Sequence, residues 1–177
     1  MICKAPDNIE IQYNPYLYPF LINSIMRPSL SFAILVITIG YAFCQGTEIR
    51  KKHYNIKNNM AMEGYDPVSY FERSPIAGKE NITMVYNGIT YQFASQANLA
   101  KFKAAPGQYE PAYGGWCAYA MGESGEKVKV DPETYTILDG KLYLFYNFWG
   151  NNTLKDWKKN EKRLKEAGDL NWKRILQ

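Results

Sequence analysis

The thiol of Cys117 is the side chain of this sequence with the clearest capacity for chemistry. It follows Gly114-Gly115-Trp116 and precedes Tyr119, so the backbone around it can approach a ligand closely. A thiolate is a preferred ligand of Cu(I) and other soft metals, and Met121 could add a thioether. Cys117 and Met121 are therefore the candidate metal ligands. The alternative is that Cys117 is a small apolar residue of the core.

A second polar group lies in the turn Gly64-Tyr65-Asp66-Pro67. Pro67 restricts its own φ and favours extended geometry at Asp66. Asp66 can accept backbone hydrogen bonds within this turn, or it can line a pocket beside Cys117. The candidate ligand-binding residues are accordingly Tyr65, Asp66, Cys117 and Tyr119.

The sequence offers little support for an enzyme, and no catalytic residue is assigned. The only histidine, His53, lies in a polar Lys-Lys-His-Tyr run and is interpreted as a surface residue. A phosphate-binding glycine loop, zinc-spaced cysteines and histidines, and a Gly-x-Ser-x-Gly elbow are all absent from the sequence. A nucleophilic Cys117 would also need a base, and no candidate is evident. We therefore predict a binding module.

Composition narrows the class of partner. The 177 residues suit one domain with extensions, and the formal net charge is only +4. Lysines are interleaved with acidic residues and form no basic stripe, so we expect no nucleic-acid partner. The chain has 15 Tyr, 8 Phe and 4 Trp. Their default role is core packing, and the alternative is an aromatic-lined cleft or surface that holds a partner.

The first residues of the chain have the pattern of a secretory signal. Arg27 precedes an apolar run over 30–43, which has the length of a signal-peptide core and is short for a membrane span. Ala42 and Cys44 are small residues at the −3 and −1 positions of a cleavage site before Gln45. A signal peptide begins close to its basic residue, here Arg27, so we expect translation to start at Met26. We expect removal of residues 1–44 and export to the periplasm or the exterior, with no stable membrane span afterwards. The alternative is membrane anchoring by an uncleaved signal.

The remaining chain is predicted to be a small α+β domain. Residues 45–59 are a polar leader, and residues 60–177 form the domain. Two β-hairpins are expected, over 83–93 with an Asn-Gly turn and over 135–146 with an Asp-Gly turn. Helices are predicted over 95–104 and 153–167, the second ending at Gly168. These elements indicate a single domain with two hairpins and packed helices, preceded by a signal peptide.

Four motifs occur in a fixed order: GYDPVSYF from Gly64, YQFAS from Tyr91, YGGWCAY from Tyr113 and DGKLYL from Asp139. In this combination the chain resembles the YHS domain family, and especially its exported, stand-alone subgroup, from about Met60 to Trp172. The resemblance implies an ancestry in metal handling, particularly of copper, through cysteine ligands. At the matching positions this chain has Ser69, Ala94 and Asn98, so those thiolates are missing.

Two functions follow as expectations. The first is an exported YHS-type module that binds a copper or other soft metal ion, or a small ligand, near Cys117 and the Asp66 turn. The second is a protein-interaction or structural module of the periplasm that needs no metal. The second function requires an exposed aromatic patch on the folded protein.

Overall fold

A computed structural model describes residues 46–177 of the chain. The predicted signal peptide, its cleavage after Cys44 and the start at Met26 lie outside these residues. None of the helices in the described part combines the length and apolar character that crossing a bilayer requires.

The domain is α+β, as the sequence predicts. Its strands are β1 (Ile56–Lys57), β2 (Met60–Ala61), β3 (Lys79–Tyr86), β4 (Ile89–Phe93), β5 (Asp131–Leu138), β6 (Lys141–Phe145), β7 (Asn147–Phe148) and β8 (Asn151–Asn152). Its helices are α1 (46–53), α2 (Gln96–Ala104), α3 (Pro106–Tyr109), α4 (Ala118–Glu123), α5 (Thr153–Lys159) and α6 (Glu161–Ile175). Short 3₁₀ turns lie at Met62–Gly64, Ser69–Glu72 and Ala112–Gly115.

The two predicted hairpins are β3–β4 and β5–β6. Their turns are Asn87-Gly88 and Asp139-Gly140, and all four residues have positive φ. This is the conformation of a type I′ turn, whose twist matches that of the flanking strands. Asparagine, aspartate and glycine adopt it at low cost, so the turn residues dictate both hairpins locally.

The strands belong to three sheets. The first has the order β1-β2-β4-β3, in which β2 runs parallel to β4. The second contains β5 and β6, and the third contains β7 and β8. The far edge of β6 is bridged at Leu142 by Pro111 and at Leu144 by Cys117. Within the described residues, β5 therefore has one paired edge, toward β6, and one edge that no strand covers.

Aromatic rings build most of the core. Phe102 of α2 is fully buried, and its ring centroid lies 4.9 Å from that of Tyr91 and 5.1 Å from that of Phe93. A second cluster surrounds the fully buried Trp157 of α5, which packs against Phe145. Rings in tilted and edge contact bury much area for their size, which suits a domain that has no disulfide among its described residues.

The segment expected to be a polar leader is part of the folded domain. Residues 46–53 form α1, and β1 then pairs with β2. Arg50 of α1 forms an ion pair with the buried Glu110, and Trp116 Nε1 donates to His53 O at 2.7 Å. These partners lie about 60 residues away in sequence. Local polarity could not reveal them.

The predicted C-terminal helix consists of two helices. The chain breaks between α5 and α6 at Asn160, and α6 continues through Gly168 instead of ending there. Gly168 is required by packing: a Cβ at this position would lie 2.8 Å from the hydroxyl oxygen of Tyr113. That hydroxyl donates to Lys165 O and to Asp169 Oδ1 of the same helix. The glycine thus allows the Tyr113 ring to approach α6 closely.

One shorter prediction also differs from the structure. The sequence Asp-Pro-Glu over 131–133 is typical of a turn or a short helix, and in the structure it begins strand β5. Asp131 Oδ1 accepts a hydrogen bond from Glu133 N, at an irregularity in the β5–β6 register between Asp131 and Tyr135. The main-chain turn expected near Asp131 is therefore accommodated inside the strand as a bulge.

Candidate functional site

Asp66 is fully buried and serves as the centre of a hydrogen-bond network. Its Oδ1 accepts from Val68 N at 2.8 Å, within the predicted turn. Its Oδ2 accepts from Ala94 N at 2.8 Å and from the side-chain amide of Asn98 at 2.7 Å. Hydrogen bonds to a charged acceptor are strong, and here they connect the turn to the segment that leads into α2 and to the first turn of that helix. The carboxylate therefore ties two distant segments of the chain together.

The three positions at which the resemblance implies cysteines all meet at Asp66. Ala94 and Asn98 donate to its carboxylate. Ser69 Oγ donates to Asp66 O at 2.7 Å and accepts from Ile76 N at 3.1 Å. In this chain the location is thus occupied by a buried polar network. The sequence motifs relate these three positions to one another but do not indicate that they converge on Asp66.

Cys117 is fully buried at the start of α4. Its sulfur accepts a hydrogen bond from Tyr146 N at 3.4 Å and lies 3.4 Å from Thr153 Oγ1. Thr153 Oγ1 in turn donates to Tyr146 O at 3.0 Å. The thiol therefore belongs to a small polar group that joins three segments of the chain.

The other candidate ligand residues share no side-chain hydrogen bond with Cys117. None of the hydrogen bonds of Asp66 involves Cys117 or its two partners, and the Tyr65 hydroxyl donates to Glu133 Oε1 at 3.1 Å. Tyr119 is half-buried and packs against both core clusters. Met121 is buried in the Trp157 cluster, whereas Cys117 belongs to the other cluster. The structure does not assemble these side chains into one pocket.

The residues present do not fit a soft-metal ion. Within residues 46–177, histidine, cysteine, aspartate and glutamate form no group of three or more that could hold a metal. The Cys117 sulfur already has hydrogen-bond partners, and the Met121 side chain packs into the Trp157 cluster. A soft-metal site needs several converging thiolate, thioether or imidazole ligands. No step of function is therefore assigned to a metal here.

An aromatic surface, which the sequence analysis did not single out, lies at the β7–β8 hairpin. Trp149 and Gly150 form its two-residue turn with φ of 52° and 79°, and Trp149 is 88% exposed. The ring centroids of Phe148 and Trp149 are 6.2 Å apart, and Tyr146 lies 5.1 Å from Phe148. Lys129 Nζ lies 4.7 Å from the Phe148 ring and 5.4 Å from the Trp149 ring. We call Lys129, Tyr146, Phe148 and Trp149 the Trp149 surface.

The base of this hairpin is held by buried or half-buried groups. Tyr146 and Thr153 flank β7 and β8, and Thr153 N donates to Tyr146 O at 3.0 Å. Both residues contact the sulfur of Cys117. On the other side, the Asn147 amide donates to Thr134 Oγ1 at 3.0 Å. The turn at Trp149 is therefore exposed, whereas the strands that carry it are attached to the domain by hydrogen bonds.

A cleft of about 600 Å³ lies elsewhere, between the 3₁₀ turn Ser69–Glu72 and strand β5. Its lining residues are Tyr70, Phe71, Arg73, Tyr135, Thr136 and Ile137. The Tyr70 hydroxyl donates to Pro132 O at 2.8 Å and so attaches the turn to β5. Burial raises the pKa of Tyr70 well above its usual value, so this hydroxyl remains a donor.

The buried Tyr91 and the half-buried Tyr54 contact the ion pair of Arg50 with Glu110. Glu110 accepts from the Tyr91 hydroxyl, and the Arg50 guanidinium lies 4.3 Å from the ring centroid of Tyr54. Burial, with the nearby Glu110 charge, raises the pKa of Tyr54 to about 12. These groups hold α1 on the domain.

Comparison with known proteins found no matching family model, curated protein or solved structure. The resemblance to the YHS family accordingly stands on the sequence motifs alone.

Proposed function

We propose that this protein is an exported binding module of the YHS type that holds a partner protein on the Trp149 surface and needs no metal. The observation that carries this proposal is the 88% exposure of Trp149 on a hairpin with an anchored base. A large apolar side chain is unfavourable in water, and here it adjoins the half-buried rings of Tyr146 and Phe148. A contiguous apolar patch of this kind marks an interaction site. Tryptophan and tyrosine are also the residues most enriched among binding hot spots.

The shape of the Trp149 surface favours a protein over a small molecule. Trp149 lies at the tip of a two-residue turn and projects from the domain. Small-molecule sites are concave and enclose most of their ligand. A projecting indole can instead insert into a pocket on a partner, as hot-spot residues do. Lys129, exposed and stacked beside the rings, adds a positive charge that suits an acidic rim on that partner.

The anchoring of the hairpin lowers the cost of binding. A loop that is ordered only in the complex loses conformational entropy on association. Here Tyr146 and Thr153 form hydrogen bonds with each other and with Cys117 in the absence of a partner. Cys117 thereby has a structural role in this proposal, beneath the surface that binds.

The test compares the proteins retained from source-cell extracts by immobilised wild type, Trp149→Ala and Val85→Ala. Val85 lies on β3, is 64% exposed and is the matched control for loss of an exposed apolar side chain. We expect a partner that the wild type and Val85→Ala retain and Trp149→Ala loses. That partner is then purified and its dissociation constant measured, with a loss of about tenfold or more expected for Trp149→Ala. A partner retained equally by all three proteins would overturn the proposal.

A further inference from the structure

The outer edge of β5 offers main-chain groups that nothing in the described chain uses. In the β5–β6 hairpin, Leu138 and Lys141 flank a two-residue turn and form a hydrogen-bonded pair. Hydrogen-bonded and non-hydrogen-bonded pairs alternate along such a ladder. The N–H and C=O groups of Tyr135 and Ile137 therefore point away from β6. No hydrogen bond to these groups is formed within residues 46–177.

This edge coincides with the 600 Å³ cleft, since three consecutive β5 residues, 135–137, line it. The opposite wall is formed by Tyr70 and Phe71 of the 3₁₀ turn. Tyr70 packs edge-on against Tyr135, with ring centroids 5.0 Å apart. The cleft thus combines an unpaired strand edge, which can pair with the main chain of an extended peptide, with an aromatic wall that can contact its side chains.

The charge of the cleft points to an anionic group. Arg73 lines the cleft, is exposed and forms no ion pair within the described residues. Its neighbour Glu72 is already paired with Lys101. Arg73 has a φ of 60° at the end of the 3₁₀ turn, and its backbone N–H bonds back to Ser69 and Tyr70. The guanidinium presents donors in a fork that matches a carboxylate.

We propose that this cleft binds an extended acidic peptide segment of a partner protein as an added strand on β5. The main chain of the peptide pairs with Tyr135 and Ile137, and one of its carboxylates pairs with Arg73. The proposal is independent of the Trp149 surface, which contains none of the residues lining this cleft.

The test measures fluorescence anisotropy of a dye-labelled peptide that alternates valine and glutamate, titrated with the full-length protein. We expect saturable binding that Arg73→Gln weakens by about tenfold or more, since charged hydrogen bonds are strong. Arg73 is exposed, so circular dichroism should show the variant folded. Arg174→Gln removes an exposed guanidinium that does not line the cleft, so it is the matched control and should bind as the wild type does.

Two N-methylated forms of the peptide provide the decisive comparison. In one, every odd-numbered amide is methylated, and in the other every even-numbered amide. Only alternate amides of an added strand face β5, so one form should lose binding and the other should keep it. The proposal would be overturned if both methylated forms bound equally, or if the unmodified peptide did not bind. It would also be overturned if free glutarate displaced the labelled peptide as effectively as the unlabelled peptide does. The last of these outcomes would identify a small-anion site.

Discussion

The main-chain N–H of Tyr146 donates to the sulfur of Cys117 across 3.4 Å. This contact places the only cysteine of the described residues directly beneath the aromatic hairpin. The residue with the clearest capacity for chemistry in the sequence is thus a buried support for an exposed surface. The relationship connects the candidate site of the sequence analysis with the surface that we propose to bind a partner.

The Cys117 thiol should be unreactive in the native protein. It is fully buried, so a thiol reagent can reach it only after the structure opens. In a chain with Cys3→Ser and Cys44→Ser, we expect the rate of reaction with an aromatic disulfide reagent to rise with urea in step with unfolding. Rapid reaction without denaturant would contradict the burial of this residue.

Metal titration should distinguish the two functions expected from the sequence. With Cu(I), Cu(II) or Zn(II) and a competing chelator, we expect no stoichiometric binding that depends on Cys117, because its neighbourhood lacks converging ligands. The measurement uses the same Cys3→Ser, Cys44→Ser background with and without Cys117→Ser. Tight binding of one equivalent that disappears in Cys117→Ser would restore the metal hypothesis.

Asp66→Asn should be strongly destabilising. In the variant, one carboxylate oxygen is replaced by an NH₂ group, which can only donate. Depending on its orientation, this NH₂ group would face the donor Val68 N or the two donors Ala94 N and Asn98 Nδ2. A buried donor left unpaired costs about 1–3 kcal/mol, and more where a charged partner is lost. Urea denaturation should therefore show a loss of at least about 2 kcal/mol. The control Asp139→Asn, in an exposed turn that asparagine also tolerates, should change stability by less than about 0.5 kcal/mol.

Gly168→Ala should destabilise by about 1–3 kcal/mol, because the new methyl group would lie 2.8 Å from the Tyr113 hydroxyl and 2.9 Å from its ring. Gly107→Ala, with nothing within 4 Å of the added group, is the matched control and should be close to neutral. A double-mutant cycle with Tyr113→Phe tests the cause, since removing the hydroxyl should relieve part of the cost. Additive effects in that cycle would rule out Tyr113 as the cause.

Stability should fall at alkaline pH partly through Tyr54. Its pKa is raised from 10.0 to about 12 in the folded protein, chiefly by burial. Between these values the unfolded chain loses the Tyr54 proton while the folded protein keeps it, so stability decreases as pH rises. Tyr54→Phe removes this group and should show a shallower decline between about pH 10 and 12 in urea unfolding. Parallel pH profiles for the two proteins would contradict the assignment.

Several features of the fold could be predicted from the sequence because they depend on neighbouring residues. Asn87-Gly88 and Asp139-Gly140 adopt positive φ with little strain, and strand-forming residues flank them, so both hairpins form as expected. Ser95 accepts from Asn98 N at 3.1 Å and caps α2, at the start of the helix that the sequence predicts over 95–104. A short stretch of chain contains all the groups that decide these structures.

The candidate sites depended on partners that the sequence does not place together. Asp66 meets Asn98 across 32 positions, and Cys117 meets Thr153 across 36. The solvent exposure of the Trp149 side chain likewise depends on the tertiary structure, because no other described segment packs over the β7–β8 turn. Local preferences act over a few residues, whereas burial and hydrogen-bond pairing depend on which distant segments the whole fold brings within a few ångströms. The sequence alone therefore determined the turns, the cap and the fold class, and only the tertiary structure decided which polar groups are buried and which aromatic residues face solvent.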